Sequence, residues 1–137
     1  MKSFLPALFF LIMFAGCAKS DDLLPNLPVN FSAPLTDPRL SRLTTPGGAV
    51  TINGQGIAGL VIYRKPDGGY MAYDRCSTVN PEMKCAVDLD DPALTVTDPC
   101  SGAKFSLIDG SPVKAPAVQS LRQYNVSIAG NTLMINN

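Results

Sequence analysis

Cysteine offers this chain most of its side-chain chemistry, and histidine is missing altogether: there are four cysteines and no histidine in 137 residues. Two cysteines sit in short loops after strand-like runs, Tyr73-Asp-Arg-Cys76-Ser-Thr-Val79 and Asp98-Pro-Cys100-Ser-Gly-Ala-Lys-Phe105, and Cys85 lies between them. Thiolates hold soft metals, and thiols in an oxidising compartment pair as disulfides. Zinc held by three cysteines without histidine would need an acidic fourth ligand. Hydrolysis through an activated hydroxyl is disfavoured, because Ser77, Thr78 and Ser101 have no imidazole to serve as base. Asp88, Asp90, Asp91 and Asp98 lack the spacing of a calcium loop and are expected on a solvated hairpin face. Gly102 and Gly110 read as turn residues, since no glycine-rich loop opens a helix here.

The fourth cysteine sets the compartment. Lys2 is followed by an apolar run from Phe4 to Phe14, then by Ala15-Gly16-Cys17, which reads as residues 1–16 forming an export signal. The run is too short for a stable span. Phe14-Ala-Gly-Cys17 resembles a bacterial lipoprotein cleavage box, with Phe where Leu is usual. It implies that Cys17 becomes a lipidated N-terminus, holding the protein on a membrane without crossing it. The Asp21-Asp22 pair resembles the surface-export tag of Bacteroidetes-type lipoproteins, and it reads equally as a solvated tether. Residues 17–28 are expected to be the lipidated cysteine and an extended, Pro-containing spacer, and residues 29–137 one folded domain. The expected address is an exported cell-envelope lipoprotein, at the outer membrane and facing the periplasm or the surface.

Charge narrows the partners. Lys2 is the one charged residue in the signal, so ten basic groups remain against eleven acidic ones. A net charge near zero disfavours nucleic acid, which needs a basic field. The tyrosines Tyr63, Tyr70, Tyr73 and Tyr124 are expected in strands and core, not on a base-stacking platform.

The elements that must position the cysteines read as strands. Val29 to Pro34, Ala49 to Asn53, Leu60 to Arg64, Tyr70 to Tyr73, Ala86 to Leu89, Leu94 to Thr97, Lys104 to Ile108, Tyr124 to Ile128 and Thr132 to Ile135 carry β-branched or alternating residues. Pro66-Asp-Gly-Gly69, Asp90-Asp-Pro-Ala93 and Ala129-Gly-Asn131 supply hairpin turns. Leu40 to Leu43 reads as a helical turn or loop. The expected fold is all-β, a small antiparallel sandwich or barrel.

From Gly59 onward, the order of features resembles a Rieske iron–sulfur domain. A strand–turn–strand leads to a first cysteine loop, a hairpin follows, and the second loop is trailed by Gly110, Ala115-Pro-Ala117, Leu121, Tyr124 and Val126. The family's loops carry Cys-x-His and Cys-x-x-His, and a Rieske centre needs two histidines on one iron. Aligned on Cys76 and Cys100, those histidine positions hold Thr78 and Ala103. The resemblance therefore implies a Rieske-type fold with degenerate loops at Cys76, Thr78, Cys100 and Ala103, and no 2Fe-2S cluster or other metal is expected. Were a cluster bound, Cys76 and Cys100 would be its protein ligands. Because the family's two cysteines share an iron, the resemblance favours a Cys76–Cys100 disulfide and leaves Cys85 as the free thiol. A Cys85–Cys100 bridge is the competing pairing, since the hairpin through Asp90 to Ala93 brings the chain back towards Cys85. The expected function is a non-catalytic binding or structural module of the cell envelope, with a protein partner unknown. The alternatives are an electron carrier holding 2Fe-2S with atypical ligands and a thiol-based redox or metal-binding protein.

Overall fold

The computed structural model describes residues 24–137. The signal, Cys17 and the Asp21-Asp22 pair lie outside the described residues. No helix among the described residues is long and apolar enough to cross a membrane.

Among the described residues, ten strands form two antiparallel sheets. The larger has the order β1 (Asn30–Pro34), β10 (Thr132–Asn136), β9 (Gln123–Ala129), β4 (Tyr70–Asp74), β3 (Leu60–Arg64) and β2 (Ala49–Ile52). The smaller has the order β5 (Asp88–Leu89), β6 (Thr95–Thr97), β7 (Lys104–Ser106) and β8 (Pro112–Lys114). This is the expected all-β architecture, a curled half-barrel sheet carrying a small second sheet.

Strand β3 shows why the molecule needs two layers of packing. Leu60, Val61, Ile62 and Tyr63 are all buried. Side chains alternate between the faces of a strand, so Leu60 and Ile62 enter one core while Val61 and Tyr63 enter another. The first core lies under Phe31, Leu133 and Ile135 and is closed by Leu40 and Leu43. Those two leucines belong to a 3-10 helix, Pro38–Thr44, capped by the Asp37 carboxylate on the Arg39 amide. The second core lies between the sheets and contains Tyr73, Val87, Val96, Ala103, Phe105 and Leu107. The Tyr73 hydroxyl donates to the Leu107 carbonyl at 3.0 Å, a buried tie between β4 and the chain just after β7. Gly110 has φ +76, and a Cβ there would meet the Tyr73 ring at 2.8 Å. Glycine is thus required at this turn for both conformation and space.

Several sequence-based bounds shift in the structure, among them that of β5, which begins at Asp88 and not at Ala86. Strand β7 stops at Ser106, because Ser106 N and Leu107 N bond to Ser111 and Leu94 and the chain then turns. Strand β8 was not anticipated: Pro112–Lys114 is a short edge on β7 with a register irregularity. Residues 24–27, expected in the spacer, are tied to the domain. Arg122 donates to the carbonyls of Leu24 and Pro25 at 2.6 Å each, and Asn137 donates to Asn26 and the Leu27 carbonyl.

Candidate functional site

Two hairpin-like loops meet at one end of the small sheet. The first joins β4 to β5 and closes in three successive rungs. Val87 N donates to Arg75 O at 2.7 Å, Cys76 bridges Ala86, and Ser77 N donates to Cys85 O at 2.8 Å. Its outer part is a 3-10 turn, Pro81–Met83, flanked by two residues at positive φ, Asn80 (+48°) and Lys84 (+50°). The second loop joins β6 to β7. Asp98 N donates to Ala103 O and Gly102 N to Asp98 O, each at 2.8 Å. Gly102 supplies the positive φ that closes this turn.

The side chains that converge between the loops are Ser77, Asp98 and Ser101. Asp98 is fully buried. Its Oδ2 accepts from Ser77 Oγ at 2.7 Å and from Ser101 Oγ at 2.6 Å, and its Oδ1 accepts from the Cys100 amide at 2.8 Å. Ser77 Oγ also accepts from the Val79 amide. Burial opposes ionisation of Asp98 and is the largest single influence. The Ser101 and Ser77 hydroxyls and the Cys100 and Ser101 amides outweigh it and hold the carboxyl below its usual range. Asp98 was expected on a solvated hairpin face and instead forms the buried centre of the site. Asp90 departs from that face too, bonding Thr95 and Thr97 across the hairpin and Lys104 on β7, whereas Asp88 and Asp91 are exposed.

The disulfide joins Cys85 to Cys100, with Cα atoms 6.4 Å apart, inside the range such bonds span. This corrects the favoured Cys76–Cys100 pairing. The physical reason is strand alternation. Cys76 and Ser77 are neighbours in extended backbone, so one faces inward where the other faces the second loop, and a shift of one residue reverses the face. Ser77 points to Asp98. The Cys76 thiol lies instead near the carbonyls of Ser77 and Pro81, at 3.7 Å from each.

Cys76 is fully buried, and it is the free cysteine among the described residues. Burial, assisted by the nearby Asp74 charge, pushes its pKa up to about 11. A thiol that stays protonated and covered at neutral pH is a poor nucleophile. Cys76 is expected to resist iodoacetamide at pH 8 in the native protein and to react once denatured, as read by intact mass. Fast native labelling of Cys76 would show that the loop opens.

Beneath this loop Asp74 is a second buried carboxylate. It accepts from the amides of Ile57, Ala58 and Cys76 and from the Tyr124 hydroxyl at 2.7 Å. It anchors the start of the first loop to β9.

The loop positions inferred from the resemblance fall elsewhere. Thr78 donates its hydroxyl to the Gln119 carbonyl at 2.8 Å, pinning the segment after Ala115-Pro-Ala117 to the first loop. Ala103 is buried in the second core. Neither faces the meeting point of the loops. The converging pair in the second loop, Asp98 and Ser101, keeps the Cys-x-x-His spacing but begins two residues before Cys100. Sequence did carry a signal for it: Asp-Pro-x-Ser-Gly is a turn in which the Asp carboxylate caps the amide two residues on. Nothing in the sequence announced that Ser77 would meet it.

The site does not fit a Rieske centre. At the meeting point stand a carboxylate and two hydroxyls that satisfy one another. Of the three cysteines among the described residues two are joined and the third faces away, and the two imidazoles such a centre needs have no counterpart. Cys85 Sγ, Cys100 Sγ and an Asp98 carboxylate oxygen nevertheless lie within 4.8 Å of one another.

No protein-family model matches the chain, and no curated protein matches it. Solved structures do. The plasma-membrane Rieske protein PetC3 of the cyanobacterium Synechocystis PCC 6803 superposes with a TM-score of 0.57 at 21% identity, over 80% of this chain and 98% of that one. The ferredoxin of carbazole 1,9a-dioxygenase from Nocardioides aromaticivorans IC177 gives 0.52 at 19% identity, over 80% and 97%. A ferredoxin of Sphingomonas yanoikuyae B1 gives 0.51 at 19% identity, over 70% and 93%. Together with the two-sheet topology and the paired loops at one end, these neighbours define a Rieske-like domain. The likeness lies in the fold; the ligand set at the tip is this chain's own.

Proposed function

We propose that this protein is a cluster-free Rieske-like module, exported and held at the cell envelope by a lipid on Cys17, that acts by binding or bracing a partner and not by catalysis. One observation carries the cluster-free part: where the loops converge stand the Asp98 carboxylate and the Ser77 and Ser101 hydroxyls, and not the imidazoles a Rieske cluster needs. The Cys85–Cys100 bridge supports the same reading, since it joins the loops without metal. The non-catalytic part is supported by the state of each candidate nucleophile. Cys76 is buried with a raised pKa, and Ser77 and Ser101 donate to a carboxylate with a depressed pKa, a weak base at neutral pH. The anchor is supported by the Phe14-Ala-Gly-Cys17 motif alone.

Protein produced in an iron-replete host and purified without oxygen is expected to be colourless, with iron and acid-labile sulfide far below one equivalent. Stoichiometric iron and sulfide with visible charge-transfer bands would overturn the cluster-free reading. In the native host, Cys17→Ser is expected to move the protein from the detergent phase to the soluble fraction. An unmodified N-terminus on the mature protein would remove the anchor.

A further inference from the structure

The ligand geometry around the disulfide points to chemistry that the oxidised domain hides. We propose that reducing Cys85–Cys100 converts this tip into a zinc site, with the two thiolates and the Asp98 carboxylate as ligands and a water in the fourth position. The inference rests on the disulfide and its carboxylate neighbour, and it holds whether or not the chain is lipid-anchored.

Three features support it. First, an Asp98 carboxylate oxygen lies beside the two bonded sulfurs, all three atoms falling within 4.8 Å of one another. A tetrahedral zinc with bonds of about 2.0–2.3 Å draws ligands to roughly that separation or less. Two thiolates and one carboxylate also suit zinc better than magnesium or calcium, which take oxygen donors. Second, the carboxylate is oriented before any metal arrives. The Ser77 and Ser101 hydroxyls hold Oδ2 and the Cys100 amide holds Oδ1. Such outer partners fix the direction of metal-binding carboxylates. Third, the backbone holds both loops independently of the disulfide. Ser77 N to Cys85 O fixes the first, and the Asp98 bonds to Ala103 and Gly102 fix the second. Cys100 is exposed and Cys85 half-buried, so reductant and metal both have access.

The redox step balances with an exogenous dithiol. Its two thiols deliver two electrons and two protons to the Cys85–Cys100 bond, giving two cysteine thiols, and the dithiol becomes a disulfide. Zinc then displaces both protons to solvent as the thiolates bind. Cys76 takes no part, because its sulfur faces the Ser77 and Pro81 carbonyls.

The test compares the purified protein before and after treatment with a phosphine reductant, removed anaerobically. Each form is titrated with Zn²⁺ against a chromophoric chelator, and with Co²⁺ as a spectroscopic substitute. The reduced protein is expected to bind one zinc per chain, and its cobalt form to show thiolate charge-transfer and tetrahedral d–d bands. The untreated protein is expected to bind at least roughly 100-fold more weakly. Cys85→Ser should abolish the site, Asp98→Asn should weaken it by about 10-fold or more, and Cys76→Ser should leave it unchanged. Equal zinc affinity before and after reduction overturns the proposal, including where the reduced chain has unfolded. Wild-type affinity in Cys85→Ser overturns it too, and unchanged affinity in Asp98→Asn removes the carboxylate from the ligand set.

Discussion

Asp98→Ala is expected to destabilise the domain by about 3 kcal/mol, and Asp98→Asn by clearly less. The alanine variant leaves three buried or half-buried donors without their acceptor: the hydroxyls of Ser77 and Ser101 and the Cys100 amide. A hydrogen bond to a charged group contributes about 1.5–3 kcal/mol, and a stranded buried partner costs about 1–3 kcal/mol. These effects overlap because water enters the vacated site, so the total falls well below their sum. Asparagine keeps an acceptor for the Cys100 amide, and both serine hydroxyls can rotate to accept from its amide group. Urea denaturation of the three proteins checks the order. Equal stability of wild type and Asp98→Ala would mean that the buried network contributes nothing to holding the loops.

The same carboxylate gives the domain a pH dependence of known sign. The folded-state pKa of Asp98 lies below its ordinary value. Its stabilisation is therefore fully present above the unfolded pKa of about 3.9, and it is lost as pH falls through the folded value. Between neutral pH and about pH 5 the term is constant. Below that, wild type is expected to lose stability faster than Asp98→Asn, which has no proton to gain at this position. Parallel acid-unfolding curves for the two proteins would assign the acid sensitivity to other carboxylates, such as Asp90, where burial opposes ionisation but the Lys104 ammonium and the Thr95 and Thr97 hydroxyls together outweigh it and depress the pKa.

Breaking the disulfide is expected to have an effect of similar size. Cys85 and Cys100 are 15 residues apart. Closing a loop of that length removes chain entropy from the unfolded state worth about 3 kcal/mol. Cys100→Ser should lower stability by that amount, and non-reducing peptide mapping should show a new free thiol at Cys85. In the wild-type protein the same map should yield a linked Cys85–Cys100 peptide. A Cys76–Cys100 peptide would require the first loop to turn its strand over, exposing Cys76 and burying Cys85. The loss on Cys100→Ser should also be nearly additive with that of Asp74→Asn, which acts at the base of the first loop through Ile57, Ala58, Cys76 and Tyr124. It should not be additive with that of Asp98→Ala, because Asp98 accepts from the Cys100 amide itself.

The sequence by itself determined most of the strands, the main turns and the all-β class of the fold. Runs such as Thr95-Val-Thr97 and Lys104-Phe-Ser106 carry their face assignment in a two-residue period, and Pro66-Asp-Gly-Gly69 and Ala129-Gly-Asn131 restrict the backbone locally. These signals need no knowledge of distant residues, and the order of strands from Leu60 to Ser106 followed from them, whereas the short β8 edge did not. Composition also decided one matter outright, since a chain without histidine cannot supply the imidazoles of a Rieske centre. Tertiary structure decided the site. Whether Cys76 or Ser77 faces the second loop turns on a single residue of register, set by the rungs 75–87 and 77–85 across a loop whose length gives no such clue. Whether Asp98 is solvated or buried depends on Ser77, 21 residues earlier, arriving with a hydroxyl to satisfy it. A buried carboxylate is tolerated only when its partners are in place, and those partners come from two separate loops, so their meeting is a property of the folded chain.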